Sequence, residues 1–443
     1  MKIAYICADP GIPVLGNKGA SVHVREFTDA LVELGHQVHI YSAAGASRDG
    51  VNLGINTTRA ALTTLAPSEQ ARSTAQLLAD GMARLTTRDH FHLYLELLRV
   101  VGDPEFVNAA RPLVRDFAPD LVIARHALFS TAALVLAQSA NCPWVLEVNA
   151  PLVDERRRYW DLTLEQEAEQ IESQVFAGAD LLIAVSEGVR AYLQRYDAPR
   201  ERIVVLPNGV NLGQFRSSVN GDAVRRRYGL EGKIVIGFAG SLKPWHGVDV
   251  LLRAFTSVYH VLHRHEKTGS EGLALFIVGD GPQRAHLEQL SQELGVSEAV
   301  TFTGAVPHSE MPEHLAAIDI AVAPYLGSDG FYFSPLKVME YMAMGRATIA
   351  PMLGQIPSLL QDATGACGLL YPADDQHELA RSLLRLVNDG ELRQELGTRA
   401  ATQAQLRSSW QTIARQIVER AARLTDRIET RQLDVRSLEA VAA

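Results

Sequence analysis

Lys337 and Glu340 stand one helical turn apart in the stretch SPLKVMEYMAMG, Ser334 to Gly345, which follows the strand-like run IDIAVAPY and the loop LGSDGFYF. The spacing predicts a helix entered from a strand, with Pro335 tolerated in the first turn because that N–H has no intrahelical partner. From Leu336 onward, free N–H groups and the positive end of the helix dipole face the mouth of the turn and favour an anion there. Lys337 adds a full positive charge where the dipole alone would favour a carboxylate, so it asks for an external partner that is more negative still. Glu340 is placed to accept hydrogen bonds from a diol while phosphates sit at the helix start. The residue types and spacing therefore suit a ribose and a pyrophosphate. The bland alternative is an amphipathic helix with Leu336, Met339, Met342 and Met344 in the core and Lys337 and Glu340 as a solvated pair.

The rest of the chain must supply the scaffold. At 443 residues it exceeds the usual size of a single core, and 47% hydrophobic with 21% charged residues describes a soluble globular protein. No apolar run approaches the roughly 18–20 residues that cross a bilayer, and MKIAYICAD enters a strand pattern without a signal-peptide core, so the expected location is cytoplasmic. A net charge of −9 disfavours nucleic acid as a partner. Cys7, Cys142 and Cys367 lie far apart, which argues against a disulfide framework and against a metal cluster.

Strand and helix patterns alternate along the chain. KIAYICA precedes a helix from Ser21 to Leu34, with Gly16, Asn17, Lys18 and Gly19 between them and Ser21 as the expected N-cap. This βαβ start lacks the GxGxxG fingerprint, which disfavours NAD binding. Helical pieces are expected around Ser68–Leu85 and Phe91–Val101. DLVIARHALF, PWVLEVNAPL and ADLLIAVS then read as buried strands ending in Arg125 and His126, Glu147 and Asn149, and Ser186 and Glu187. Carboxyl ends of parallel strands line ligand crevices, so these are candidate site residues. RIVVLPNGVNLGQF, Arg202 to Phe215, reads as a hinge, and the alternation restarts at KIVIGFAGSLKPWHG. The expected division is residues 1–206, residues 207–408, and a C-terminal helix and tail over 409–443 returning towards the first domain. The fold class is α/β, with two doubly wound, Rossmann-like domains.

At this point the segments resemble a known family. KGASVHVREF, VLPNGVNLGQF, FAGSLKPWHGVDVLLRAF, FIVGDGPQR, FTGAVPHSEMPEHLAAIDIAVAPY and SPLKVMEYMAMGRATIA, in this order and spacing, resemble the retaining, nucleotide-sugar-dependent glycosyltransferases of family 4, which have the GT-B fold. The resemblance implies two Rossmann-like domains facing across a cleft, an N-terminal one for the acceptor and a C-terminal one for the donor. It implies that Gly19 sits under the donor phosphates, that Glu340 binds the ribose, that Gly281 and the loop at Val306 and Pro307 approach the base, and that Arg125 or His126 faces the transferred sugar. The family commonly grips the pyrophosphate with an arginine and, five residues later, a lysine; Ser241 and His246 stand there instead. The first glutamate of the family's spaced pair is replaced by Tyr332. A subgroup with a KPWHG loop and an SPLK helix start shares these features, and Lys243 and Lys337, with His246 as a donor, are the expected replacements beside Ser334 and Leu336.

The expected activity is transfer of a sugar from a UDP-sugar, or alternatively a GDP-sugar, to an acceptor hydroxyl with retention. The competing reading is a binding protein without turnover on the same fold. No cofactor beyond the nucleotide-sugar co-substrate is expected, and Mg²⁺ is optional. The acceptor, whether small molecule, lipid or glycan, is not encoded in any motif. Peripheral membrane association is left open by the basic run ERRRY, Glu155 to Tyr159.

Overall fold

The apolar runs KIAYIC, LVIAR, WVLEV and LLIA form the centre of a seven-stranded sheet in which every pairing is parallel. Its strands are β1 (Lys2–Cys7), β2 (Gln37–Ser42), β3 (Ala61–Thr64), β4 (Leu121–Arg125), β5 (Trp144–Val148), β6 (Leu181–Ala184) and β7 (Ile203–Val205), in the order β3-β2-β1-β4-β5-β6-β7. A parallel strand covered on both faces has no solvated side, which is why these runs are continuously apolar rather than alternating. The computed structural model describes residues 1–16, 18–44, 57–83, 89–160, 162–264, 272–327, 331–362 and 365–424. Asn17 and the tail beyond 424, both named in the sequence reading, lie outside the described residues.

The chain forms two compact units. Unit one holds Met1–Asn208, Tyr332–Ser334 and, among the described residues, 410–424; unit two holds Gly209–Phe331 and Pro335–Ser409. Unit two has a six-stranded parallel sheet of β8 (Lys233–Ala239), β9 (Gly272–Val278), β10 (Val300–Phe302), β11 (Ile320–Val322), β12 (Ala347–Pro351) and β13 (Gly368–Tyr371), in the order β10-β9-β8-β11-β12-β13. In each sheet the order reverses beside the first strand of its unit, the position where open α/β sheets hold ligands. Ile236, Phe238, Leu275 and Ile277 of β8 and β9 form one core with Leu251, Leu252, Phe255 and Val258 of the following helix. Each such side chain contributes roughly 1.5–3 kcal/mol by burial. No described helix is long and apolar enough to cross a membrane.

The helices that bear on function are α1 (Gly19–Glu33), α2 (Glu69–Ala83), α3 (His90–Phe117), α4 (Leu152–Tyr159), α5 (Glu165–Gly178), α6 (Glu187–Arg195) and α7 (Leu336–Ala343). Several differ from the sequence reading. Ser21 is not an N-cap but the third residue of α1, buried, and the cap position is Lys18, which makes no side-chain cap bond. The helix expected to end near Val101 is α3, which continues through Pro104 and Pro112 to Phe117. Asp89 starts it by accepting from the N–H groups of Phe91 and His92, and Ala118 stops it in the left-handed conformation. Pro335 is the residue before α7 rather than part of its first turn.

Candidate functional site

In unit two, Lys337 defines the site. It is the second residue of α7, whose cap position, Pro335, supplies no side-chain hydrogen bond. Its Nζ is buried 4.1 Å from the ring centroid of Phe238 and 4.9 Å from that of Tyr325, and has no hydrogen-bond partner among the described residues. Burial lowers its pKa to about 7, against the raising effect of Glu340. The rings compensate only part of the lost hydration of an ammonium. Gly240, at φ +139, makes the space: a Cβ there would lie 3.0 Å from Nζ.

The loops after β8 and β9 close this site from one side. Gly240 N–H donates to the Val278 carbonyl and Leu242 N–H to the Asp280 carbonyl, both at 2.9 Å, while Gln283 N–H donates to the Leu242 carbonyl at 3.1 Å. A Cβ on Gly281 would stand 2.6 Å from the Leu242 nitrogen, so this glycine is required by the packing of one loop on the other. His246 Nδ1 lies 2.5 Å from the carbonyl oxygen of Ser241. A carbonyl only accepts, so Nδ1 carries the proton and Nε2 presents a lone pair. Burial, then Lys337 and Lys243, pull the His246 pKa down to about 3, so the ring is neutral. The expectation of His246 as a donor to phosphate is corrected: its Nδ1–H is spent on Ser241, and its other nitrogen accepts. Lys243 is half-buried with Nζ 5.8 Å from the Trp245 ring, and Ser241 is exposed.

Glu340 has a side chain 16% exposed, with His308 Nε2 3.8 Å from Oε1. His308 packs on Phe215 at 5.5 Å and opens a short 3₁₀ turn, Pro307 being its cap residue; Val306 and Pro307 are half-buried. Leu336 is the first residue of α7. Ser334 belongs to unit one: its Oγ accepts from Asn208 N–H at 2.8 Å and its carbonyl accepts from Asn208 Nδ2 at 3.0 Å. Sequence reasoning missed Phe238, Gly240, Tyr325 and His308. Position alone pointed to the first three, since they lie at or just beyond the carboxyl ends of β8 and β11.

In unit one, Gly19 opens α1, exposed, and a Cβ there would meet nothing within 4 Å. The preceding loop is pinned by Arg25, whose Nη1 donates to the carbonyls of Val14 at 2.5 Å and Gly16 at 2.7 Å. Glu147 is fully engaged: Tyr5 Oη donates to Oε2 at 2.7 Å, and His23 Nε2 lies 3.2 Å from Oε1. Trp410 packs edge-on against His23 at 4.8 Å. Glu187 is a surface residue paired with Arg190 at 2.5 Å, and Ser186 Oγ caps α6 at Val189 N–H and donates to the Tyr332 carbonyl at 2.7 Å. The Tyr332 hydroxyl donates to Glu155.

Arg125 and His126 diverge, as consecutive residues at a strand end do. His126 is buried with Nε2 3.4 Å from Glu172 Oε1 and its ring 5.0 Å from Phe176. Burial, assisted by Arg125, lowers its pKa to about 3, so it is neutral, and its Nδ1 has no partner among the described residues. Arg125 ends β4 with a buried Nη1 that has no hydrogen-bond partner among the described residues.

Comparisons with known proteins agree with these two halves. Residues 17–214 match the family model described as glycosyltransferase family 4, and residues 233–389 the one described as glycosyl transferases group 1. A D-inositol 3-phosphate glycosyltransferase of Corynebacterium jeikeium (strain K411) is 31% identical over 307 residues, covering 67% of this chain and 70% of the relative. In other relatives of that name the match spans about half their length, for example 50% in Nocardia farcinica (strain IFM 10152). Among solved structures, a sucrose-phosphate synthase from Thermosynechococcus elongatus superposes with a TM-score of 0.67 at 20% identity, covering 96% of this chain and 99% of that one. Anabaena Alr3699/HepE in complex with UDP-glucose does so with a TM-score of 0.66 at 17% identity, covering 95% and 99%. The fold is that of these GT-B structures.

Proposed function

The chain belongs to glycosyltransferase family 4, the group 1 glycosyltransferases, and on that premise we propose that it moves a sugar from a UDP-sugar to an acceptor hydroxyl with retention of configuration. Its KPWHG loop and SPLK helix start mark the subgroup to which we assign it. The observation that carries the donor reading is the buried ammonium of Lys337 at the start of α7, without an acceptor among the described residues. A nucleoside diphosphate supplies the missing oxygens.

Departure of the diphosphate builds negative charge on the β-phosphate, and preorganised donors aimed there stabilise the transition state more than the ground state. Lys337 and the first N–H groups of α7 take that role, with Lys243 as a second cation. An entering phosphate restores the full charge that burial has removed from Lys337. Glu340 accepts from the ribose hydroxyls, the His246 Nε2 lone pair accepts from a hydroxyl of the donor, and Gly281, Val306 and Pro307 flank the base. His126 Nδ1 is assigned to the transferred sugar. Retention then follows by same-face attack, with the leaving phosphate oxygen taking the acceptor proton; Mg²⁺ is not required in this scheme.

The test is a donor screen by thermal shift with UDP, GDP and ADP and their sugar conjugates, with and without Mg²⁺, followed by NMR of the product anomer. Selective stabilisation by UDP and a product of unchanged configuration are expected. No response to any nucleotide removes the donor reading, and an inverted product removes retention alone.

A further inference from the structure

Behind His126 lies a buried carboxyl group with no task in the transfer, and we propose that Glu172 is a positioning residue: it decides which nitrogen of His126 carries the ring proton, and so what His126 offers the transferred sugar. This deepens the transferase reading above and rests on it for the sugar, though not for the proton.

The two residues come from separate elements of unit one. His126 follows β4, where its N–H donates to the Glu147 carbonyl at 2.8 Å, and Glu172 lies within α5. Their side chains are 3% and 1% exposed, with Nε2 3.4 Å from Oε1. Phe176, one turn along α5, packs on His126 at 5.0 Å and on Tyr196 at 5.4 Å. The other carboxyl oxygen is taken. Tyr192, on α6, donates its hydroxyl to Oε2, and that hydroxyl oxygen lies 3.3 Å from the one of Tyr196. Glu172 Oε1 and His126 Nδ1 make no hydrogen bond among the described residues.

A neutral imidazole has one N–H and one lone pair. Against an ionised Glu172, Nε2 must carry the proton, because otherwise two lone pairs would face each other; Nδ1 is then an acceptor. When Glu172 is protonated, Tyr192 still occupies Oε2, so the acid proton sits on Oε1 and points at Nε2. The ring proton then resides on Nδ1, which becomes a donor. The pair takes up one proton from solvent in this change.

Both forms are reached near neutrality. Burial pushes Glu172 up to about 7, opposed by the Tyr192 and Tyr196 hydroxyls and assisted by Asp154 and Glu169. Burial and Arg125 keep His126 itself neutral against the weaker pull of Asp9. Arg195, paired with Asp154, lies over the Tyr192 ring at 4.8 Å. Tyr196 lines an open polar cavity of about 560 Å³ with Asp154, Glu169 and Arg195, which gives the tyrosine end of the cluster a way to solvent. Above the Glu172 midpoint, the Nδ1 lone pair accepts from a sugar hydroxyl; below it, that bond is lost.

The experiment follows the histidine nitrogens of the full chain by nitrogen-15 NMR from about pH 6 to 8.5, with His126→Gln identifying the His126 signals. The proton should sit on Nε2 at the upper end and on Nδ1 at the lower, with the midpoint near 7 and the ring neutral throughout. Calorimetry in parallel should show UDP-glucose affinity relative to UDP about two- to tenfold weaker at the lower end. Glu172→Gln presents an amide N–H to Nε2 while its carbonyl accepts from Tyr192, so it should hold the low-pH tautomer and the weaker preference at every pH. Tyr192→Phe keeps the carboxyl and removes a hydrogen bond that favours its ionised form, so the midpoint should move up. A ring proton on the same nitrogen at both ends, or a midpoint unmoved in Tyr192→Phe, overturns the proposal. A UDP-glucose preference that ignores the tautomer change overturns it too, by removing His126 from the sugar. Absence of UDP binding instead sinks the donor reading, while the nitrogen signals still decide the role of Glu172.

Discussion

The buried Glu147 carboxylate on β5 of unit one receives Tyr5 and His23, whereas the buried Lys337 ammonium on α7 of unit two receives no acceptor among the described residues. Both sit near carboxyl ends of parallel sheets, yet the first is a finished network joining β1, α1 and β5, and the second is complete only when an anion arrives. Burial of a satisfied charge holds a fold together. Burial of an unsatisfied one is stability given up for binding.

The sharpest way to break this contrast is Lys337→Met, which keeps the stem and removes the charge. Turnover with a UDP-sugar should fall by about 10²–10³. The free variant should be more stable than wild type at neutral pH. The folded pKa of Lys337 is depressed, so the unfolded chain binds more protons between about pH 7 and the ordinary lysine range, and wild-type stability rises with pH across that window. The advantage of the variant should shrink over the same window in urea titrations. Equal stabilities at pH 7 would mean that Lys337 is solvated or paired.

Glu147→Ala should act in the opposite sense. It leaves Tyr5 and His23 without their acceptor and should cost about 1–3 kcal/mol of stability, with UDP affinity within twofold of wild type. A large loss of UDP binding would show that the network belongs to the donor site. A smaller effect is expected from Glu340→Gln, which weakens acceptance from the ribose diol and should raise the UDP dissociation constant about tenfold with little change in turnover. If turnover falls and affinity does not, Glu340 acts on the reacting centre instead.

Much of this was legible in the sequence, and the limits are physical. Continuous apolar runs announced the buried parallel strands, and SPLK announced a helix start that favours an anion, because both are local patterns. The rings around Lys337 were hidden because Phe238 and Tyr325 read as strand residues, and only the fold brings β8 and the end of β11 to α7. His246 read as a donor because its tautomer is set by the Ser241 carbonyl, a contact the spacing does not reveal. Ser21 read as a cap because hydroxyls favour that position, but the helix starts two residues earlier. The course of α3 through two prolines was missed because proline is a local stop signal that Asp89 capping and buried side chains such as Phe106 and Val114 override.

Calorimetry of UDP binding at pH 8 in two buffers of different ionisation enthalpy tests the central claim most directly. With its pKa near 7, Lys337 is mostly neutral at pH 8 in the free protein and must gain a proton when it pairs with a diphosphate. Wild type should therefore take up a fraction of a proton approaching one per UDP bound, and Lys337→Met should take up markedly less. Equal proton uptake in the two proteins would contradict the assignment of the diphosphate to Lys337.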